Sequence, residues 1–418
     1  MGETLRLDSL HRMRPAFRDA DADGQPDPRM TDTMETASAP RQPETPPPNP
    51  ASTPAPTPAP VPGAAALAAM DSGEIPRRYL GAAAWTGAEM RERDDWIVRL
   101  SEADRAELDT AWRATAQLPI ESIGPRDFAL PALGPKLHAL RDEIIDGRGF
   151  VLLRGLDIEG WPIERTARVY WGLGSWFGRA VSQNAMGHVL GHVRDLDYDT
   201  RDPNVRTYQT TERQYYHSDS CDIVGLMCLR PAKRGGLSSI VSSVTLYNEM
   251  ARRRPELAAV LSEPVPFDRR GEVPDNEEPF FLNAVFNHHE GRVSSYVSRR
   301  YVESSQRHPS APRLAPLHFE AMDLLDELAE DPDLHLDMEF RPGDIQLLHN
   351  HTIFHDRTAF EDWPEPERKR HLLRLWLCPP NGRPLPARYA ARWGSVTIGD
   401  RGGIVCPGTK LHAPLTPM

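Results

Sequence analysis

Apolar residues recur along the first half of the ordered chain at helical spacing. Leu137, Leu140, Ile144 and Ile145 fall on one face of a helix, and Gly147 stands where that helix would stop. Upstream, Ser101-Glu-Ala-Asp104 has the hydroxyl-then-acid spacing of a helix start, with Leu100 and Leu108 placed to pack around it. Residues 163–177 repeat the amphipathic pattern. Between these helices, Phe150-Val-Leu-Leu-Arg154 follows a glycine as a short continuous apolar run, which predicts a buried strand. From residue 205 the pattern changes to short β-rich pieces near 205–210, 214–230, 237–243, 279–287, 292–298, 335–349 and 370–378, with helical stretches near 245–262 and 316–330. Many short strands at this spacing predict an α+β fold, a double-stranded β-helix (jelly-roll) core flanked by helices. Periodicity alone fits other α+β layouts too.

Composition divides the chain near residue 75. About half of the residues between Pro43 and Pro62 are proline, and no Tyr or Trp precedes Tyr79. Such a stretch buries too little apolar surface to offset the entropy of ordering it, so residues 1–74 are expected to be a disordered Pro/Ala-rich tail. Residues 75–418 show no second linker and no internal repeat, and are expected to form one elaborated domain.

A net charge of -11 repels phosphate backbones and anionic lipid, so neither nucleic acid nor a membrane is an expected partner. The basic run Arg252-Arg253-Arg254 reads as a solvated end between two helices. No apolar stretch is long enough to cross a bilayer and no signal peptide opens the chain, which predicts a cytoplasmic protein. Four cysteines, Cys221, Cys228, Cys378 and Cys406, lack paired spacing and are expected to be reduced and partly buried.

Candidate chemistry begins at His217-Ser-Asp219. On a strand, residues two apart point the same way, so this imidazole and this carboxylate would share a pocket. A second histidine from a distant segment would complete two His and one carboxylate on one face of a metal, a set that suits non-haem Fe(II) and also binds Zn(II). His349, His351, His355 and His371 are all candidates by position. Further on, Arg370, Leu372 and Arg374 share one strand face. Two guanidinium groups pointing into a core need an anion, supplied either by a dicarboxylate ligand or internally by Asp344, Asp356 or Glu361.

In these elements, together with Gly235-Gly236-Leu237-Ser238 and Gly343-Asp344 followed by Asn350, the chain resembles the TauD/TfdA (taurine dioxygenase-like) family of Fe(II)/2-oxoglutarate-dependent oxygenases in the clavaminate synthase-like superfamily. The resemblance covers roughly residues 145–380. It implies that the distal histidine ligand, five residues after the Asn, is His355, and that His217, Asp219 and His355 hold Fe(II). By the same resemblance Arg370 and Ser238 hold 2-oxoglutarate, and Arg374 contacts that acid, the substrate or the wall. The implied activity uses O2 to hydroxylate or desaturate a small-molecule substrate, releasing succinate and CO2. Asp219 stands where halogenating relatives lack a carboxylate. Ser238 replaces the commoner Thr, and Trp363-Pro-Glu-Pro-Glu367 lengthens the segment before Arg370. Asn184 and Tyr301 are candidate substrate contacts. Two rival expectations keep the same residues: a Zn-dependent hydrolase, and a non-catalytic jelly-roll protein that binds a small acid.

Overall fold

The computed structural model describes residues 78–198 and 205–417. The tail expected at 1–74 lies outside them. Seven helices matter for the argument: α1 (Glu102–Ala114), α2 (Leu133–Asp146), α3 (Ile163–Phe177), α4 (Ser243–Arg253), α5 (Pro255–Val260), α6 (Arg299–Ser304) and α7 (Pro316–Ala329). The core strands are β1 (Phe150–Arg154), β2 (Gln214–His217), β3 (Ile223–Arg230), β4 (Ser238–Ser242), β5 (His335–Met338), β6 (Ile345–His349), β7 (Ile353–Arg357) and β8 (His371–Cys378).

Local chemistry accounts for the helix ends. The Ser101 hydroxyl accepts from the Asp104 N–H at 3.2 Å while the Asp104 carboxylate accepts from the Ser101 N–H at 2.9 Å, so α1 starts with two otherwise orphaned donors satisfied. Gly147 follows the last residue of α2, as its spacing predicts. α3 occupies the predicted residues and packs on β8. Gly174 permits that approach, because a Cβ there would lie 2.5 Å from Leu375.

Two antiparallel sheets hold the strands. The larger runs β1-β6-β3-β8, extended by Ile97–Arg99 parallel to β1 and by two short strands on β8; the smaller runs β5-β4-β7-β2. Among the described residues the sheets share no strand, so the jelly roll is a sandwich rather than a closed barrel. Alternation within single strands explains the uninterrupted apolar runs. Leu152, Val224, Leu372 and Trp376 pack between the sheets with Ile240 and Ile353, whereas Val151, Leu153, Ile223, Leu373 and Leu375 pack outward under α1, α2 and α3. Both faces of the larger sheet are covered. The outer face of the smaller sheet supplies Val241 and Phe354 to a third cluster with α4, α5 and α7.

Several expected elements are subdivided. Residues 214–230 form two strands because the chain leaves β2 at His217 and turns before β3. Residues 335–349 divide at Pro342-Gly343, where Gly343 has φ +85°. The helix expected at 245–262 breaks at Arg254, since Pro255 disfavours helical backbone in the residue before it. Residues 205–210 hold a 3-10 turn at Thr207–Gln209 rather than a strand. Conversely β7, which falls between the expected pieces 335–349 and 370–378, is a fully buried strand. Among the described residues no helix is long and apolar enough to cross a membrane, and the four cysteines are unpaired.

Candidate metal centre and its two cavities

His217 is the last residue of β2, and Asp219 lies beyond the strand. Strand alternation is therefore not what aligns the pair. The turn is pinned instead: the Ser218 N–H donates to Val297 O and its hydroxyl accepts from the Val297 N–H, both at 2.9 Å, and the Asp219 N–H donates to Asn350 Oδ1 at 3.0 Å. Asn350 directly follows β6 and also donates to Cys221 Sγ. His355 sits in β7 as the cross-strand partner of His217.

These three side chains converge. His217 Nε2 and His355 Nε2 each lie 4.0 Å from an Asp219 oxygen, and the three donor atoms lie within 4.8 Å of one another. Among the described residues this is the one such cluster. The separations are too long for hydrogen bonds within the set and short enough for one ion to join it. His217 Nδ1 faces Tyr215 O at 2.9 Å, which places its proton there and leaves Nε2 as the acceptor; that lone pair accepts from the Gln214 side-chain amide at 2.7 Å, a contact a bound metal would replace. Burial holds His355 neutral, its pKa pulled down to about 3 with His217 reinforcing the effect; burial also lowers His217, against the pull of Asp219. For Asp219 burial opposes ionisation, but Arg374, His355, His217 and the Trp376 N–H together hold its carboxyl below the usual range. Two neutral imidazoles and an ionised carboxylate are the protonation states a divalent cation requires.

A small cavity between the sheets adjoins this cluster, lined by Ser238, His355, Arg357, Arg370 and Arg374 among others. Arg370 is 4 % exposed and lies 5.2 Å from the Phe360 ring; its backbone N–H donates to Asp362 Oδ1 at 2.7 Å, but its guanidinium has no carboxylate within 4.0 Å among the described residues. Its Nη1 lacks any hydrogen-bond partner, and burial pushes its pKa down to about 10. The three acids the sequence offers as internal partners are engaged elsewhere: Asp344 with Arg154 at 2.7 Å, Asp356 with Arg213 at 2.9 Å, and Glu361 with Lys233 and Arg234. Arg374 differs. Its Nε donates to Gln183 Oε1 at 2.8 Å and its Nη1 to Asp219 at 3.4 Å, so its charge has a partner in the cluster itself.

Arg357 was not anticipated. It follows His355 by two positions in β7, pairs across the sheet with Ser238, stacks 4.7 Å from Phe360, and keeps Nε and Nη2 unpartnered while Nη1 donates to Thr210 O. Recognising 353–357 as a strand would have found it, because residues two apart share a face. Ser238 donates to Gln346 Oε1 at 3.2 Å.

On the other side of His217 and Asp219 lies a larger cavity of about 500 Å³. Tyr301, on α6, lines it and accepts from Arg206. Asn184 does not line it: its amide is spent on His188, both the side-chain nitrogen and the backbone N–H, within a local loop. The neighbouring Gln183 takes the place expected for Asn184, buried at the wall against Arg374.

Residues 114–376 match the sequence profile described as "Taurine catabolism dioxygenase TauD, TfdA family". The chain belongs to the TauD/TfdA family. It is 32% identical over 334 residues to FR-33289 synthase of Streptomyces rubellomurinus, an alignment covering 77% of this chain and 96% of that protein. It is also 32% identical over 321 residues to a taurine hydroxylase-like protein of Stachybotrys chartarum, covering 71% and 81%. Among solved structures, this TauD/TfdA chain shares its fold with an asparagine oxygenase in complex with Fe(II), 2S,3S-3-hydroxyasparagine and succinate, at a TM-score of 0.53 and 14% identity over 68% of this chain and 93% of that one.

Proposed function

We propose that this TauD/TfdA protein is an Fe(II)- and 2-oxoglutarate-dependent dioxygenase that hydroxylates or desaturates a small-molecule substrate. His217, Asp219 and His355 would hold the iron. Arg370, Arg357 and Ser238 would hold the distal carboxylate of 2-oxoglutarate. When bound, iron, 2-oxoglutarate and O2 supply an oxidation in which the keto acid loses CO2 and becomes succinate while, in hydroxylation, one oxygen atom goes to substrate carbon.

One observation carries the reading: His217 and His355 of the metal cluster, which Asp219 completes from its other side, line the same cavity as Arg370, a buried guanidinium without a counter-ion among the described residues. A dicarboxylate that reaches both satisfies both. The fork of Arg370 presents parallel donors to a carboxylate edge, and the Phe360 ring fixes its plane. Trp376 donates to Asp219 Oδ2 at 2.8 Å, which leaves Oδ1 for a metal and fixes the carboxylate's rotation. A zinc hydrolase would use the triad and leave Arg370 and Arg357 without a task.

The catalytic unit is then the domain formed by residues 75–418, acting on a free small molecule rather than on nucleic acid or lipid. Its four unpaired cysteines suit a reducing compartment such as the cytoplasm. Anaerobic addition of Fe(II) and 2-oxoglutarate should give a visible charge-transfer band, and admission of air should release succinate. A protein that gives the band without succinate is a binder; one that gives neither is not this enzyme.

A further inference from the structure

Resting on that reading, we propose that the large cavity binds its substrate through a dianionic phosphate- or phosphonate-type group held by Arg206, Arg270 and Arg392. All three line the cavity together with His217 and Asp219. Arg270 is the strongest sign. It is a non-glycine residue at φ +53°, a conformation that persists only where its surroundings enforce it. Its side chain is 6 % exposed, packs over the Tyr301 ring at 5.3 Å and donates through Nη2 to Val205 O at 3.0 Å. Its Nε has no partner. Asp268 accepts from its backbone N–H at 2.8 Å, but that carboxylate is paired with Arg307 and His308 rather than with the Arg270 guanidinium.

Charge bookkeeping around it points to the ligand. Arg206 pairs with Glu272 and donates to the Tyr301 hydroxyl. Arg392 donates through Nε to Ser220 Oγ at 2.9 Å, and its Nη2 lies 3.8 Å from the same Glu272. Among the described residues these three guanidinium groups thus share one carboxylate, Glu272, which leaves two positive charges unmatched within the trio, in a chain whose net charge is -11. Three other arginines in the wall are matched, Arg213 by Glu330 and Asp356, Arg299 by Glu303 and Asp326, and Arg374 by Asp219, while Arg300 donates to Thr207 Oγ1 at 2.9 Å in a wall that also holds Glu212. A planar carboxylate would offset one of the two surplus charges. A phosphate monoester or phosphonate dianion offsets both and offers three oxygens to forked donors. Held at this wall, the anion would leave the rest of the substrate to extend toward the metal cluster.

The test is calorimetric titration of the anaerobic Fe(II)- and 2-oxoglutarate-loaded protein with propylphosphonate, butyrate and 1-propanol at constant ionic strength. Propylphosphonate should bind at least about tenfold more tightly than butyrate, and 1-propanol should show no saturable binding. R270Q and, independently, R392Q should each weaken propylphosphonate by about tenfold or more, while R270K stays within about threefold of wild type. The 2-oxoglutarate charge-transfer titration of R270Q should match wild type, which shows the variant to be folded. Propylphosphonate binding no tighter than butyrate, or indifferent to both R270Q and R392Q, overturns the proposal. A wild-type protein with no charge-transfer band would instead strike the oxygenase reading, and the same propylphosphonate titration on metal-free protein would still decide the anion site.

Discussion

His355 lies directly across the β2–β7 ladder from His217, with ring centroids 4.1 Å apart. Strand register therefore sets the distance between two of the three proposed ligands, and a one-residue slip of either strand would turn its ring to the opposite face, away from the other. The third ligand, Asp219, is set differently, by a turn tied to Asn350 and Val297. Asp219 also does more than face a metal, because Arg374 and Trp376 both donate to it.

That double duty separates two substitutions. Asp219→Ala removes the counter-ion of buried Arg374 and should destabilise the metal-free fold by roughly 3 kcal/mol, the lower end for breaking a buried pair. Asp219→Asn keeps an acceptor for Trp376 and should cost less. Both should abolish the thermal stabilisation conferred by Fe(II), as read from anaerobic melting curves with and without metal. Metal stabilisation surviving in either variant would remove Asp219 from the ligand set.

Arg370 and Arg357 should contribute unequally to 2-oxoglutarate binding. Arg370→Gln is expected to weaken affinity by about two orders of magnitude, and Arg357→Gln, which loses a flanking cation and its donors, by about one. Titration of the charge-transfer band measures both. Arg357→Gln matching wild type would confine the anchor to Arg370 and Ser238, and an effect below about threefold for Arg370→Gln would move the anchor elsewhere.

How much of this was legible in the chain depends on how local each signal is. Ser101, Gly147 and the stripe of α2 act within a turn or two of backbone, and the helices appear where those residues place them. His217 and Asp219 were found as a pair, yet by an alternation that stops at His217; the operative contacts come from Asn350 and Val297, far along the chain. Choosing His355 over His349 or His351 needed the family resemblance. In the structure His349 bonds to Thr352 and His351 to Asp222, both buried and away from the cluster. Gln183, Arg357 and Arg270 were not seen because their importance arises from cross-strand register and from which acids are already taken, quantities that no single segment encodes.

Buried histidines should make the metal-free fold acid-sensitive. His371 bonds to His192 Nδ1 at 2.8 Å, and burial, with His192 and Arg230 adding to it, holds its pKa down to about 3. Its unfolded value is near 6.5, so below that pH the unfolded chain binds a proton that the folded chain refuses. Stability is therefore full above pH 6.5 and falls as the pH drops toward 3, by up to about 1.4 kcal/mol per pH unit for each such group. His371→Gln should flatten the slope measured by urea denaturation between pH 6.5 and 4.5. An unchanged slope would assign the acid sensitivity to other groups, with buried His349 next in line.

Gly236 tests how closely the hairpin beside β4 must approach the anchor. Its φ is +70°, and a Cβ built there would lie 3.0 Å from Arg370 Nε and 3.2 Å from its Cδ. Gly236→Ala then carries two penalties. The left-handed backbone costs an alanine about 1 kcal/mol, which should appear as lower stability in urea. The methyl group also pushes on a guanidinium that Phe360 holds in plane, so 2-oxoglutarate affinity should fall by about tenfold while Fe(II) stabilisation of the fold is retained. A variant that loses stability but binds 2-oxoglutarate like wild type would show that Arg370 can shift without cost, and that its position is less constrained than the contact distances imply.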